Sequence, residues 1–151
     1  MTSPHPIVAV LNGPNLNLLG QRQPELYGRT TLAELEAMVG AKASALGLAV
    51  EFRQSNHEGE LIGWVQACRG RARGIVINPA GYTHTSVALL DALLAAELPV
   101  IEVHLTNIHR REPFRQTWIT GKAATGIIAG LGPAGYLLAL EAMAQLIRDG
   151  A

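Results

Sequence analysis

Apolar positions along this chain fall into short runs rich in β-branched residues, separated by stretches in which apolar residues recur at helical spacing. Runs without polar alternation are how strands of a parallel sheet read when both faces are covered. Ile7 to Leu11, Leu48 to Arg53, Gly74 to Ile77, Val100 to Val103 and Gly126 to Ala129 are the five strands this predicts. Between them, Thr31 and Glu34 form a capping-box pattern opening a helix of alanine, leucine and glutamate that Gly47 should end. Glu58 to Ala72 carries Leu61, Ile62, Val65 and Cys68 on one helical face. A third helix is predicted from about Ser86 to Glu97, and a closing one from Tyr136 to Arg148.

Strands alternating with helices, each crossover long enough for a right-handed βαβ unit, predict an α/β fold with a doubly wound, five-stranded parallel sheet. The expected strand order is flavodoxin-like, 2-1-3-4-5. Its switch point lies between the first and third strands, and ligands bind outside the carboxyl ends of the strands around it. This rule singles out three polar loops: Asn12 to Gly28, Asn78 to Thr85 and His104 to Arg115. No repeat, linker or low-complexity segment interrupts the pattern, so residues 1–151 read as one domain.

Composition narrows the class. A chain of 151 residues, 48% hydrophobic and 16% charged, is one ordinary domain with enough apolar material for a sizeable core. Twelve basic and twelve acidic residues give a formal net charge of zero, which argues against a broad footprint for nucleic acid or an anionic membrane. The single cysteine, Cys68, excludes an internal disulfide framework and a multi-cysteine metal site, and its place on an apolar stripe reads as core. The residues before Ile7 lack the basic start and apolar stretch of a secretory signal, and no apolar run approaches the roughly 18–20 residues of a membrane span. The expectation is a soluble cytoplasmic protein.

In the first loop, Asn12-Gly13-Pro14-Asn15 is a turn by composition, its asparagines suited to bonding their own backbone. The long tail to Gly28 has the length of a lid or binding segment and presents Arg22 and Tyr27. A tyrosine, with an unperturbed pKa near ~10, serves as a base at neutral pH only if a cation holds its phenolate, and an arginine can do so. A solvated Arg22 and a packed Tyr27 account for the spacing equally well. In the second loop Thr85 or Ser86 caps the next helix. His84 is either a surface histidine or, with Asp91, part of a donor and acceptor pair suited to hydroxyl groups. Asp91 sits among Leu89, Leu90, Leu93 and Leu94 and needs a partner or water.

In the third loop region Glu102 and His104 project from one strand face, so the carboxylate can orient the imidazole and keep it protonated for acid catalysis; an edge salt bridge is the plainer alternative. Arg110, Arg111 and Arg115 suit a carboxylate ligand, a solvated loop or a subunit contact. His104, His109 and Asp91 match no standard metal-ligand spacing. Gly130-Leu131-Gly132-Pro133-Ala134-Gly135 fits G-x-G-x-x-G but lacks the following strand with its acidic residue, and reads as a helix-start turn.

Taken together, Asn12-Gly13-Pro14-Asn15-Leu16-Asn17-Leu18-Leu19-Gly20 with Arg22-x-Pro24-x-x-Tyr27-Gly28, Asn78-Pro79 with Thr83-His84-Thr85-Ser86, and Glu102-Val103-His104-Leu105-Thr106-Asn107 with Phe114-Arg115 strongly resemble the type II 3-dehydroquinate dehydratase family. Gln54 to Gly59 and Ala124 to Tyr136 extend the resemblance over nearly the whole chain. One departure is Pro79-Ala80-Gly81-Tyr82, where many members read more like Pro-Gly-Ala-Tyr.

The resemblance implies a hydro-lyase that converts 3-dehydroquinate to 3-dehydroshikimate and water, without a cofactor or metal, by anti elimination through an enolate. It implies Tyr27 as base, Arg22 as holder of the phenolate and stabiliser of the transition state, and Asn15 as the residue positioning a water near the enolate. His104, oriented by Glu102, would be the acid. Asn78 and the backbone donors of Leu105 and Thr106 would hold the substrate carboxylate, with His84, Asp91 and Arg115 on the ring hydroxyls and Arg111 reinforcing the positive field near Tyr27. It also implies a homododecamer, a tetramer of trimers. The residues alone leave two other classes open, a flavin-binding protein on the same fold and a metal-dependent hydrolase.

Overall fold

In the computed structural model, which describes residues 4–151, five strands pair in parallel: β1 (Ile7–Asn12), β2 (Ala49–Gln54), β3 (Gly74–Asn78), β4 (Val100–His104) and β5 (Gly126–Ala129). Their order is β2-β1-β3-β4-β5, as the crossover pattern predicts. The helices are α1 (Pro24–Tyr27), α2 (Leu32–Ala45), α3 (Glu58–Cys68), α4 (Val87–Ala96) and α5 (Ala134–Arg148). Met1 to Ser3, part of the stretch read as lacking a secretory signal and of the single domain, lie outside the described residues. Among the described residues no helix is long and apolar enough to cross a membrane.

Alternation along the strands divides the core in two. Val8, Val10, Val76, Ile101 and Val103 pack with Leu35 and Val39 of α2 and Leu140 and Met143 of α5. Ala9, Leu11, Ile75, Ile77 and Val100 meet Leu61 and Val65 of α3 and Leu89 and Leu93 of α4. Each fully buried aliphatic side chain contributes about 1.5–3 kcal/mol relative to exposure, which is why the central strands carry hardly a polar residue before their carboxyl ends.

The capping box forms as predicted: the Thr31 hydroxyl accepts from the Glu34 N–H, and the Glu34 carboxylate accepts from the Thr31 N–H. Helix α3 departs from expectation by ending at Cys68 rather than Ala72. Gly70 takes a φ of +75°, and Arg71 turns to donate to both oxygens of Glu51 at 2.6 and 2.9 Å, tying the helix end to β2. Helix α1 was not foreseen; four residues are too few to show a period, although Pro24 at its start and Gly28 at its end, φ +82°, bound it.

Two backbone approaches shape the switch point. The Gly13 N–H donates to the Asn78 carbonyl at 2.8 Å, and a Cβ on Gly13 would lie 2.5 Å from the Pro79 carbonyl oxygen. Gly13→Ala must therefore push the loops after β1 and β3 apart. Its expected cost is about 1–3 kcal/mol of stability, read from chemical denaturation; an unchanged midpoint would show that the loops are free to separate. Next to it, Ala80 stands where the family pattern has glycine, and it holds a φ of +54°. The Asn78 side-chain carbonyl, accepting from the Ala80 N–H at 3.0 Å, keeps it in that left-handed turn. The G-x-G-x-x-G segment is a helix-start turn whose Gly130 and Gly132 N–H groups donate to the carbonyls of His104 and Leu105 at 3.2 and 3.1 Å.

Candidate active site

A cleft of about 140 Å³ opens at the carboxyl ends of β1, β3 and β4, small beside the roughly 300 Å³ at which drug-sized pockets begin and suited to one compact molecule. Among the described residues Arg22, Arg111 and Arg115 line it and no carboxylate does, so its field favours an anion. The loop after β1 forms one wall. Tyr27, at the end of α1, is half-buried against the α2/α5 side of the core. The guanidinium carbons of Arg22 and Arg111 stand 4.8 and 5.3 Å from its ring centroid. The packed ring and the arginine pair, alternatives in the sequence, coexist here.

Donors gather at the floor. Asn78 is 3% exposed; its amide nitrogen donates one proton to the Tyr136 hydroxyl at 3.0 Å, leaving the second for the cleft. Tyr136 in turn donates to Asn12 Oδ1 at 2.7 Å, and burial pushes its own ionisation far above the usual phenol range. Leu105 and Thr106 line the cleft, and their backbone N–H groups have no acceptor among the described residues. Asn15 sits in the left-handed region at φ +71°, its N–H donating to Asn56 Oδ1 at 3.0 Å, and its side-chain amide has no hydrogen-bond partner among the described residues.

His104 and Glu102 share the α3/α4 face of β4. His104 Nε2 lies 2.6 Å from Glu102 Oε2, and the carboxylate is fully buried behind the ring. Glu102 also accepts from the hydroxyls of Thr83 and Thr120, each at 2.6 Å. Burial pushes its pKa up, but the hydrogen bond and charge of His104, with the two hydroxyls, outweigh burial and hold it below the usual carboxylate range. An ionised carboxylate can only accept, so Nε2 carries a proton and Nδ1 is the ring nitrogen left without a protein partner among the described residues. The Trp118 ring packs edge-on against His104, centroids 5.1 Å apart.

His84 reaches the cleft as well, with Nδ1 2.7 Å from the Thr117 carbonyl. That oxygen can only accept, so in the neutral ring Nε2 offers a lone pair. Burial lowers the His84 pKa, aided by the charges of Arg115 and His104 and opposed by the Thr117 carbonyl and Glu102. The folded state therefore resists a proton that the unfolded chain accepts near 6.5; this part of the stability is present above 6.5 and is lost as pH falls from there toward the lower folded value. His84→Asn should flatten the fall in unfolding free energy just below pH 6.5 relative to wild type. Parallel curves would remove the assignment. Arg115 lines the cleft with Nε donating to Glu112 at 2.7 Å.

Asp91 is not brought to the cleft of its own chain. The inward face of α4 is Leu89, Ala92, Leu93 and Ala96, and Asp91 lies exposed on the other side with Val87 and Leu94, outside the cleft of its own chain. His109 also stays out, its Nδ1 on Gln116 and its ring stacked on Trp118. Among the described residues no group of three or more His, Cys, Asp or Glu side chains is placed to hold a metal. The residues that sequence reasoning missed are Thr120 and Trp118, with Tyr136 as the anchor of Asn78; Thr83 appeared only as part of a motif.

Residues 6–144 match the family model described as dehydroquinase class II. A 3-dehydroquinate dehydratase of a Chelativorans species is 60% identical over 138 residues, spanning 91% of this chain and 95% of that protein. 3-Dehydroquinate dehydratase 2 of Pseudomonas putida is 58% identical over 144 residues, spanning 95% of this chain and 97% of the relative. Among solved structures, the type II dehydroquinase from Propionibacterium acnes superposes with a TM-score of 0.90 at 43% identity, covering 95% of this chain and 98% of its own.

Proposed function

Since the chain belongs to the class II dehydroquinase family and so converts 3-dehydroquinate to 3-dehydroshikimate and water, we propose that its own side chains carry that elimination without a cofactor. The observation that bears most weight is one cleft holding both an arginine-flanked tyrosine and a carboxylate-backed histidine.

The Tyr27 phenolate, held by Arg22 with Arg111 adding positive field, takes a proton from the carbon next to the ketone. The C–H electron pair moves into a C=C bond and the ketone oxygen becomes an enolate oxygen. Asn15 holds a water that donates to that oxygen, an oxyanion contribution that costs little reorganisation because the turn is preformed. The enolate then collapses: the ketone reforms, a new C=C bond conjugates with it, and the hydroxyl on the next carbon leaves with its bonding pair. His104 gives that hydroxyl a proton, and water departs. The free Asn78 amide proton and the Leu105 and Thr106 N–H groups hold the substrate carboxylate, while His84 and Arg115 meet the ring hydroxyls. Closure of the first loop would dry the site and strengthen the coupling of Arg22 to Tyr27.

The test is product identification: proton NMR of the reaction in D₂O should show 3-dehydroshikimate formed as 3-dehydroquinate is consumed. Recovery of unchanged substrate from folded protein would contradict the reading. The step serves either the shikimate route to aromatic amino acids or quinate breakdown. We also propose a cytoplasmic homododecamer, a tetramer of trimers, with no nucleic-acid or membrane partner. Exposed Val87 and Leu94 on α4 support self-association. Sedimentation at twelve times the 16.1 kDa of one chain is the expected result, and a monomer would contradict it.

A further inference from the structure

Thr83, Glu102 and Thr120 come from three separate segments: the turn after β3, strand β4 and the turn before β5. All three are fully buried, and none lines the cleft. The two turns are clamped together by the Ile119 N–H donating to the Thr83 carbonyl at 2.7 Å. Thr83 shares Glu102 Oε2 with His104, and Thr120 takes Oε1. The threonine oxygens also stand 2.9 Å apart. Each has a single proton, so two hydroxyls that both donate to the carboxylate have none left to bridge one another, and the close approach is that of two donors converging on one acceptor.

This arrangement bears on where the proton of the Glu102–His104 pair resides. In a dry site the neutral arrangement, a protonated carboxyl beside a neutral imidazole, competes with the ion pair because burial penalises charge. Donors aimed at the carboxylate stabilise only the ionised form. A proton moved onto Glu102 would be held by His104 Nε2, but the two hydroxyls would then donate to an uncharged carboxyl and lose the charge-assisted part of their bonds. Valine would fill the same space as either threonine, so packing alone does not call for the two hydroxyls.

We propose that Thr83 and Thr120 are positioning residues for the acid: by donating to Glu102 they fix it as an acceptor and keep the shared proton on His104 Nε2, so that the ring is cationic and its Nδ1 proton is the one given to the departing hydroxyl. The inference rests on the dehydratase reading and deepens it, since it assigns the step that these residues control. Neither threonine lines the cleft that holds Tyr27. Their loss should therefore spare binding and proton abstraction while slowing departure of the hydroxyl.

The experiment compares wild type, Thr120→Val and Thr120→Ser on 3-dehydroquinate in D₂O, measuring kcat, KM and deuterium incorporation next to the ketone in recovered substrate. A hydrogen bond to a charged group is lost in the valine variant, so kcat should fall about 10-fold to 100-fold. KM should stay near wild type, the ratio of proton exchange to elimination should rise, and serine should recover most of the rate. Thr120→Ala removes the same hydroxyl and carries the test if the valine variant does not fold. Exchange and elimination falling in parallel, or an unchanged ratio in a folded variant, would overturn the inference while leaving the dehydratase reading intact. An inactive wild-type protein would overturn both.

Discussion

Tyr27→Phe is expected to fold, to bind 3-dehydroquinate with nearly unchanged KM, and to lose about 10²-fold to 10⁴-fold in kcat, the range for removing a positioned acid or base. The geometry separates these effects. The ring is packed against the core with Arg22 and Arg111 each over it, and phenylalanine retains that packing and both cation–π contacts. Only the oxygen that takes the proton is removed. Steady-state kinetics together with thermal unfolding check this, and near-normal turnover in a folded variant would exclude Tyr27 as the base. Deuterium exchange next to the ketone should fall with turnover, because it needs the same oxygen.

His104→Ala should divide the reaction the other way. Elimination should slow by a similar factor, about 10²-fold to 10⁴-fold, while exchange of the proton next to the ketone persists. The enolate still forms under Tyr27 but lacks a donor for the departing hydroxyl. The variant also leaves Glu102 buried and without its ring partner, with the threonine hydroxyls as its remaining donors. Some loss of stability is therefore expected, and the exchange ratio is the cleaner measure because it compares two steps in one folded population. Unchanged elimination would remove His104 from the acid role.

The sheet was legible because continuous β-branched runs separated by helical periods admit few topologies, and strand order then points to the loops at the switch point. Glu102 and His104 followed from a period of two along β4, and Arg22 with Tyr27 followed from the chemistry a tyrosine base requires. Asp91, read among its leucines as needing a partner or water, has water: the inward positions of α4 are Leu89, Ala92, Leu93 and Ala96, and it lies exposed on the far side. Thr120 and Trp118 left no signal. They reach Glu102 and His104 from an irregular segment between Gln116 and β5, where no period relates position to direction. Helix α1 and the short turns around the cleft escaped for the same reason. Ala80 is the reverse case: the departure from the family pattern was visible, but its left-handed backbone was not.

The account's central claim is that this chain's own tyrosine drives the elimination with no metal or cofactor. The most direct measurement mixes purified, chelator-treated protein with 3-dehydroquinate and follows the ultraviolet absorbance of the conjugated enone, with Tyr27→Phe treated alongside. The predicted result is rapid, chelator-resistant appearance of product in the wild type and its near disappearance in the variant. No product from folded, assembled wild-type protein, activity abolished by the chelator, or equal rates in the two proteins would contradict it.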